Sequence, residues 1–425
     1  MHIHPSAPLR GEITAPGDKS ISHRAVMLGA LANGTTRISG FLKGDDCLST
    51  IQCFRKMGVS IEIHNDTVIM EGVGLHGLSA PEEDLYTGNS GTTTRLLCGI
   101  LAGQTFPSVL DGDASIRKRP MGRIIKPLRE MGASIQGKND TLCPLRIFPS
   151  ELCGIDYHLP VASAQLKSAI LLAGLYAEGQ TTVVESIPSR DHTEQMFRAL
   201  GVEIEKQGNT ILLEPPENLY AVDIDVPADI SSAAFFLVAG AIVPGSEITI
   251  RNVGVNPTRT GVLDVLNAMG AKITMSNFHN GAEPVCDLTV QYSSLHGTEI
   301  GGALIPRLID ELPILAVAAA FADGQTIIRD AQELKVKESN RLTAMATELS
   351  RAGVSVRETE DGMIIQGGKT PHGATFTTYQ DHRIAMSFAV LGLASEGATI
   401  IDNPSIVSIS YPDFFDTLRK LGGIS

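Results

Sequence analysis

Apolar and polar positions along this chain fall into a pattern that returns. An alanine-rich apolar stretch of helical length runs to a glycine and then to a strand-like stretch of Thr, Ile and Val: "ALANGTTRISG", "ILAGQTFPSVLDG", "GLYAEGQTTVVES", "VAGAIVPGSEITIRNV", "AAAFADGQTIIRDA" and "GLASEGATIIDN". The glycines are Gly34, Gly103, Gly179, Gly245, Gly324 and Gly397, about 70 residues apart. A second pattern keeps the same interval: "FRKMGVSIEI", "LREMGASIQG", "FRALGVEIEK", "LNAMGAKITM", "LSRAGVSVRE" and "LRKLGGIS". It predicts an amphipathic helix, a glycine C-cap at Gly58, Gly132, Gly201, Gly270, Gly353 and Gly422, and then an alternating strand. Two markers recurring together predict six copies of one α/β unit, each with two helices and three or four strands. The first helix of each copy is apolar on nearly all sides, which predicts burial on every face; the second keeps a polar side for solvent. Six copies exceed one core, so they group as three plus three. No Pro/Ser-rich linker marks the division, and repeat arithmetic alone places it near residue 226, in "IDVPADIS".

Composition supports this picture and narrows the function. The chain has 425 residues, 43% hydrophobic and 19% charged, which suits a soluble globular protein with room for two cores. Its longest apolar run, Ala233 to Val243, is shorter than the roughly 18 residues a membrane span requires. The start "MHIHPSAPLRGEI" has neither an apolar signal core nor the Arg/Ser-rich character of a transit peptide, so the expected location is the cytoplasm. Cysteines 47, 53, 98, 143, 153 and 286 form no C-x-x-C pair and are too sparse for a disulfide framework; they read as reduced and mostly buried. A net charge of -13 argues against nucleic acid and acidic membranes as partners. An anionic ligand must then be drawn by a local cluster of cations.

Such clusters stand just before the buried helices, at "GDKSISHRA", "TGNSGTTTRLL", "VASAQLKSAI", "PADISSAAFF", "LIDELPILA" and "YQDHRIAMSF". A helix N-terminus offers free amide donors and the positive end of the macrodipole, and so favours anions. Helix capping explains the Ser, Thr, Asn and Asp residues, and is the preferred reading for the fourth copy. It does not explain Lys19, Arg24, Arg95 or Arg383, whose charges oppose the macrodipole unless an anion lies among them. In "KVKESNRL", a helix would put Lys337 and Arg341 on one face with Glu338 three residues before Arg341. His382 reads equally as a ligand contact or as a helix-start hydrogen bond. The chain lacks H-x-x-x-H, C-x-x-C and a Rossmann G-x-G-x-x-G context, so no metal and no organic cofactor is indicated.

Taken in order from about residue 8 to residue 418, "PGDKSISHRA", "GNSGTTTRL", "GDASIRKRPMGR", "SAQLKSAILLAGL", "SRDHTEQM", "IDELPILAVAAA", "KVKESNRL" and "DHRIAMSF" resemble the EPSP synthase (3-phosphoshikimate 1-carboxyvinyltransferase) family, in its bacterial subgroup distinct from the plant and enteric type. The resemblance implies an α/β, two-lobed enolpyruvyl transferase-type fold, each lobe three βαβαββ repeats: residues 1–15 with 226–425 in one lobe, 16–225 in the other, and an active site in the cleft between them. It implies transfer of the enolpyruvyl group of phosphoenolpyruvate to the 5-hydroxyl of shikimate 3-phosphate by addition and elimination, with phosphate released, in aromatic amino-acid biosynthesis. The partners are then two small anions, and a monomer is expected.

By the same resemblance, Lys19, Asp310 and Glu338 are the catalytic residues. Asp310 holds the 5-hydroxyl and Glu338 protonates the methylene carbon, although these proton roles remain exchangeable among the three. Lys19, Ser20, Arg24, Ser163, Gln165, Arg190, Asp310 and Lys337 are the shikimate 3-phosphate contacts. Lys19, Asn89, Gly91, Arg119, Gln165, Lys337, Arg341 and Arg383 are the phosphoenolpyruvate contacts, and Arg95 is either beside them or a structural ion-pair partner. Glyphosate competes for the phosphoenolpyruvate site in this family, and a glycine at position 91 implies sensitivity to it, unless Gly91 serves only a tight turn before a helix at Thr92. Three positions depart from one form of the family pattern. Ile409 stands where some members carry lysine, Ala164 stands in place of a second serine, and Arg190 enters in "SRDHTE". The sister family acting on UDP-N-acetylglucosamine has a cysteine in the loop matching "GDASIRKRP" and an asparagine after its early lysine; here these positions read Ala114, Ser115 and Ser20. An RNA 3'-phosphate cyclase is disfavoured by the acidic balance. A repeat scaffold without activity has no use for so many polar residues at equivalent helix starts.

Overall fold

The computed structural model describes residues 1–424. It divides into two compact units, Met1–Pro16 with Pro227–Ser425, and Gly17–Val226.

The Gly17–Val226 unit holds three four-stranded sheets that share one order. In the first, Ile224–Asp225 pairs in parallel with Asn33–Ser39, and Thr67–Val73 and Ser60–His64 continue it antiparallel. The sheet around Ser108–Asp111 and the sheet around Thr181–Val184 repeat that arrangement. Closing the first sheet with the last strand of the unit makes these residues one body. In the other unit, Arg10–Thr14 pairs in parallel with Glu247–Gly254, which is why the N-terminal residues belong with the second half of the chain. That unit has two four-stranded sheets and one three-stranded sheet, His2–Ile3, Thr399–Ile401 and Thr375–Phe376. Its last element is the helix Phe414–Lys420, and no strand follows it among the described residues, so "LRKLGGIS" yields the helix and glycine of the pattern without the strand.

The expected burial contrast between the helix types holds. Lys19–Leu31, Gly91–Ala102 and Ala164–Gly174 make the core of one unit, and Ile230–Ile242, Leu312–Phe321 and His382–Ala394 that of the other. Every residue of Ile230–Ile242 is buried, whereas Asp45–Lys56 is buried on one side only. The six glycines that end the amphipathic helices all have φ between 79° and 101°, a left-handed conformation that stops the helix and that side chains rarely adopt. No helix among the described residues is long and apolar enough to cross a membrane. All six cysteines are free thiols, with Cys153 exposed and the others buried.

Candidate functional site

Five of the six core helices begin with a side-chain cap. Asp18, Ser90, Ser163, Asp229 and Asp381 each accept a hydrogen bond from a backbone N–H one turn or less into the helix. These caps orient the segments that carry the candidate residues.

In the Gly17–Val226 unit, Lys19 is the first residue of its helix and its ammonium forms an ion pair with Asp46. Ser20 follows, half-buried, and its carbonyl accepts from Arg24 Nη1 at 2.9 Å. Arg24 is buried, and also donates from Nε to Thr193 Oγ1 and from Nη2 to Ser168 Oγ, both at 2.7 Å. His23, fully buried, lies 2.7 Å through Nδ1 from Thr50 Oγ1. Burial first, then Lys19 and Arg24, hold its imidazole well below the ordinary histidine range, so it is neutral at pH 7. From Thr50 a buried chain of hydroxyls continues through Thr93 to Ser90, with 2.7 Å at each step. The chain thus links the Lys19 helix to the cap of the Gly91 helix.

Around that second helix start, Arg119 donates from Nη1 to the Asn89 carbonyl at 3.1 Å. Arg95 donates from Nη1 to Gln165 Oε1 at 2.7 Å and from Nη2 to the Pro120 carbonyl at 3.4 Å. Gln165 in turn donates to Thr92 Oγ1 at 3.0 Å. Asn89, Gly91, Arg95, Arg119 and Gln165 are therefore one cluster. A Cβ placed on Gly91 would lie 2.9 Å from Arg95 Nη1 and 3.2 Å from Arg119 Nη1 and Cζ. Gly91 is itself the first helical residue and is absent from the left-handed glycines. What a side chain there would meet is therefore two guanidinium groups, and no left-handed turn before Thr92 calls for the glycine. Ser163 caps its helix by accepting from Leu166 N at 3.4 Å, which leaves its hydroxyl proton available. Arg190 stands half-buried in the segment between Thr181–Val184 and the helix His192–Ala199.

In the other unit the centre is Arg341, buried at the start of the helix Arg341–Arg351. It donates to Asp381 from Nε at 2.8 Å and from Nη2 at 3.2 Å, and to Glu338 from Nη2 at 2.6 Å. Its Nη1 lies 3.5 Å from Asp310 Oδ1, and Lys337 Nζ approaches the same oxygen at 3.3 Å. Burial opposes the charge on Arg341, yet Asp381, Glu338 and Asp310 together raise its pKa above the ordinary value. Asp381 shows the complement: burial pushes its carboxyl up, and Arg341 more than offsets this, so it stays below the usual range. Burial pushes the Lys337 ammonium down against the pull of Asp310. Arg383, buried, donates from Nη1 to the Asp310 carbonyl at 3.0 Å. Lys337 and Glu338 do not share a helix with Arg341. Asn340 caps that helix by accepting from Thr343 N at 3.3 Å, and Lys337 ends the 3-10 turn Gln332–Val336, so a bend, not helical spacing, gathers them.

The family pattern of EPSP synthase (3-phosphoshikimate 1-carboxyvinyltransferase) matches residues 3–418. The chain is 54% identical over 422 residues to a 3-phosphoshikimate 1-carboxyvinyltransferase of Desulforamulus reducens, covering 99% of this chain and 98% of that protein. It is 55% identical over 415 residues to the protein of that name from Bacillus thuringiensis (strain Al Hakam), covering 97% of each. A solved EPSP synthase from Acinetobacter baumannii superposes with a TM-score of 0.89 at 48% identity, over 100% of this chain and 98% of that one.

The chain belongs to the EPSP synthase family.

Its activity is that of the family, 3-phosphoshikimate 1-carboxyvinyl transfer in the shikimate pathway, and its mixed α/β fold of six small sheets is the family fold. Two residues outside the candidate set hold EPSP synthase candidates in place. Asp46 pairs with Lys19 from another helix, and Asp381, legible only as a cap in "QDHR", also receives Arg341. The cap hydrogen bond at the His382 helix is made by the Asp381 carboxylate. Ile409, at the position where some members carry lysine, is buried.

Proposed function

We propose that the substrates are shikimate 3-phosphate and phosphoenolpyruvate and that residues of both units act on them. Lys19, Ser20, Arg24, Ser163, Gln165 and Arg190 bind shikimate 3-phosphate, with Asp310 and Lys337 at its 5-hydroxyl. Asn89, Gly91, Arg119 and Gln165, with Lys19, Lys337, Arg341 and Arg383, bind phosphoenolpyruvate.

The observation that carries the reading is one buried guanidinium, Arg341, facing two carboxylates of suitable proton-handling type, Asp310 and Glu338. Asp310 takes the proton of the 5-hydroxyl as its oxygen bonds to C2 of the enol, and Glu338 delivers a proton to C3. One carboxyl group gains a proton as the other loses one, so the charge around Arg341 is unchanged through the addition. A carboxyl beside this cation holds a proton only when anionic substrates have raised its pKa, which couples protonation to substrate arrival. In the elimination Glu338 takes a proton back from C3 as the C2–O bond to phosphate breaks, and the departing phosphate carries off the proton held by Asp310, giving the enolpyruvyl ether and inorganic phosphate and restoring both carboxyl groups. The free thiols fit a reducing compartment, the cytoplasm, and the active form is read as a monomer, which light scattering checks.

The test is phosphate release from phosphoenolpyruvate on addition of shikimate 3-phosphate, with UDP-N-acetylglucosamine as the rival acceptor. Release is expected with the first alone. Release with the sugar nucleotide, or with neither, overturns the assignment.

A further inference from the structure

Lys167 lies in the apolar helix Ala164–Gly174 and is fully buried, as are Glu185 and Glu194 to within 1%. Its ammonium is 3.1 Å from Glu185 Oε2, 2.7 Å from Glu194 Oε1 and 3.4 Å from the Ser189 carbonyl. Glu185 Oε1 accepts from both Ser189 N–H at 3.0 Å and Ser189 Oγ at 2.5 Å. Every polar group of Ser189 is thereby bound to this triad, and Ser189 is the residue before Arg190. The next rung between the same two helices is the hydroxyl pair Ser168 and Thr193 at 2.7 Å, and Arg24 donates to both.

Stability alone is a poor reason for this arrangement. Two carboxylates share one buried ammonium, and among the described residues neither Glu194 oxygen has a hydrogen-bond partner beyond its ion pair with Lys167. Buried ionic groups of this kind commonly stabilise less than apolar residues of the same volume. What they supply is a fixed relation among elements. Lys167 is four residues from Ser163 and two from Gln165 on one rigid helix, and its bonds tie that helix to the backbone that presents Arg190.

We propose that Lys167, Glu185 and Glu194 are positioning residues for recognition of the 3-phosphate: they hold Arg190 at a set place relative to Ser163 and Arg24. This rests on the reading of Arg190 as a shikimate 3-phosphate contact. None of the three touches substrate, and phosphoenolpyruvate recognition does not depend on them.

Glu185→Gln is the most informative variant. It keeps the shape of the side chain and leaves the Lys167 ammonium facing the Glu194 carboxylate. The amide presents one oxygen where the carboxylate presents two, so either the Ser189 or the Lys167 contact is lost. Calorimetric titration should show shikimate 3-phosphate binding about tenfold weaker, in line with loss of one hydrogen bond to a charged group, with the KM for phosphoenolpyruvate within about twofold of wild type. Combined with Arg190→Ala it should add no further loss, because the effect passes through Arg190. Equal loss in both backgrounds, or parallel loss for both substrates with a lowered Tm, overturns the proposal in favour of a general structural role. Arg190→Ala weakening shikimate 3-phosphate while Glu185→Gln does not also overturns it, leaving the contact reading intact. A silent Arg190→Ala overturns the contact reading and the proposal with it. If Glu185→Gln does not fold, Ser189→Ala removes only the hydroxyl arm and should weaken shikimate 3-phosphate about threefold, with the same dependence on Arg190.

Discussion

The two units secure their helix starts by different means. In Gly17–Val226 a neutral chain, His23 to Thr50 to Thr93 to Ser90, joins the Lys19 helix to the Gly91 helix, and the Gln165 amide bridges Arg95 and Thr92. In the other unit Arg341 gathers three carboxylates, Asp310, Glu338 and Asp381. Hydroxyls and amides set geometry without titrating between pH 4 and 9, so their arrangement does not change as a phosphate ester takes its second charge at about pH 6. Carboxylates around one guanidinium can exchange a proton at little electrostatic cost, which suits the proton transfers. On the proposed reading, both units bind substrate, and the difference is that the two carboxylates that move protons, Asp310 and Glu338, stand in the charged cluster.

Removing the centre of the charged cluster should have the largest effect. Arg341→Met leaves Asp310, Glu338 and Asp381 without their common cation, at a cost of about 3–5 kcal/mol, read by denaturant unfolding, together with loss of turnover. Thr50→Val cuts the neutral chain at its midpoint with little change of shape, and should cost only about 1–3 kcal/mol for the stranded partners. Equal costs for the two would erase the contrast between the clusters.

Gly91→Ala probes the Gly17–Val226 unit directly. The added methyl would press on Arg95 and Arg119, both buried and hydrogen-bonded, and overpacking of this kind costs about 1–3 kcal/mol. We expect glyphosate sensitivity in the parent enzyme, and in the variant an inhibition constant raised well beyond any rise in the KM for phosphoenolpyruvate. A common factor for both would show that Gly91 does not shape the pocket.

Acid separates the units by pH. His23 has a folded pKa well below its unfolded value of about 6.5, so below that pH the unfolded chain takes a proton that the native state does not. Stability is lost as pH falls from there, at up to about 1.4 kcal/mol per pH unit from this group. Asp381 is depressed relative to an unfolded value of about 3.9, so its contribution is complete above that pH and is lost as pH falls through the folded value. Hydrogen exchange at stepped pH should therefore show Lys19–Leu31 losing protection as pH falls below about 6.5, before His382–Ala394 does. His23→Asn should flatten that first slope.

What was legible in the sequence was whatever local periodicity records. The six-fold repeat, the glycines that end helices and the caps at Asp18, Ser90, Ser163 and Asp229 follow from residue type and spacing over a few positions. Long-range pairings leave no such mark. Nothing in "GDDCLS" announces that Asp46 meets Lys19, and Asp381 reads as an ordinary cap although it also anchors Arg341. Lys167 did leave a faint signal, a lysine inside "QLKSAILL" with Leu166, Ile170 and Leu171 around it on a helix. Its two glutamates come from elsewhere in the chain, so the triad was visible only in three dimensions. "KVKESNRL" failed as a helix because Asn340 is a stronger cap than the charge spacing is a helix signal.

The assignment of proton handling to the charged cluster is tested most directly in Glu338→Gln, which keeps shape and removes the transferable proton. Shikimate 3-phosphate affinity measured by calorimetry should stay within about twofold of wild type while turnover at saturation falls about 100-fold or more. Near-normal turnover, or a loss that appears in affinity and disappears at saturating substrate, would contradict it.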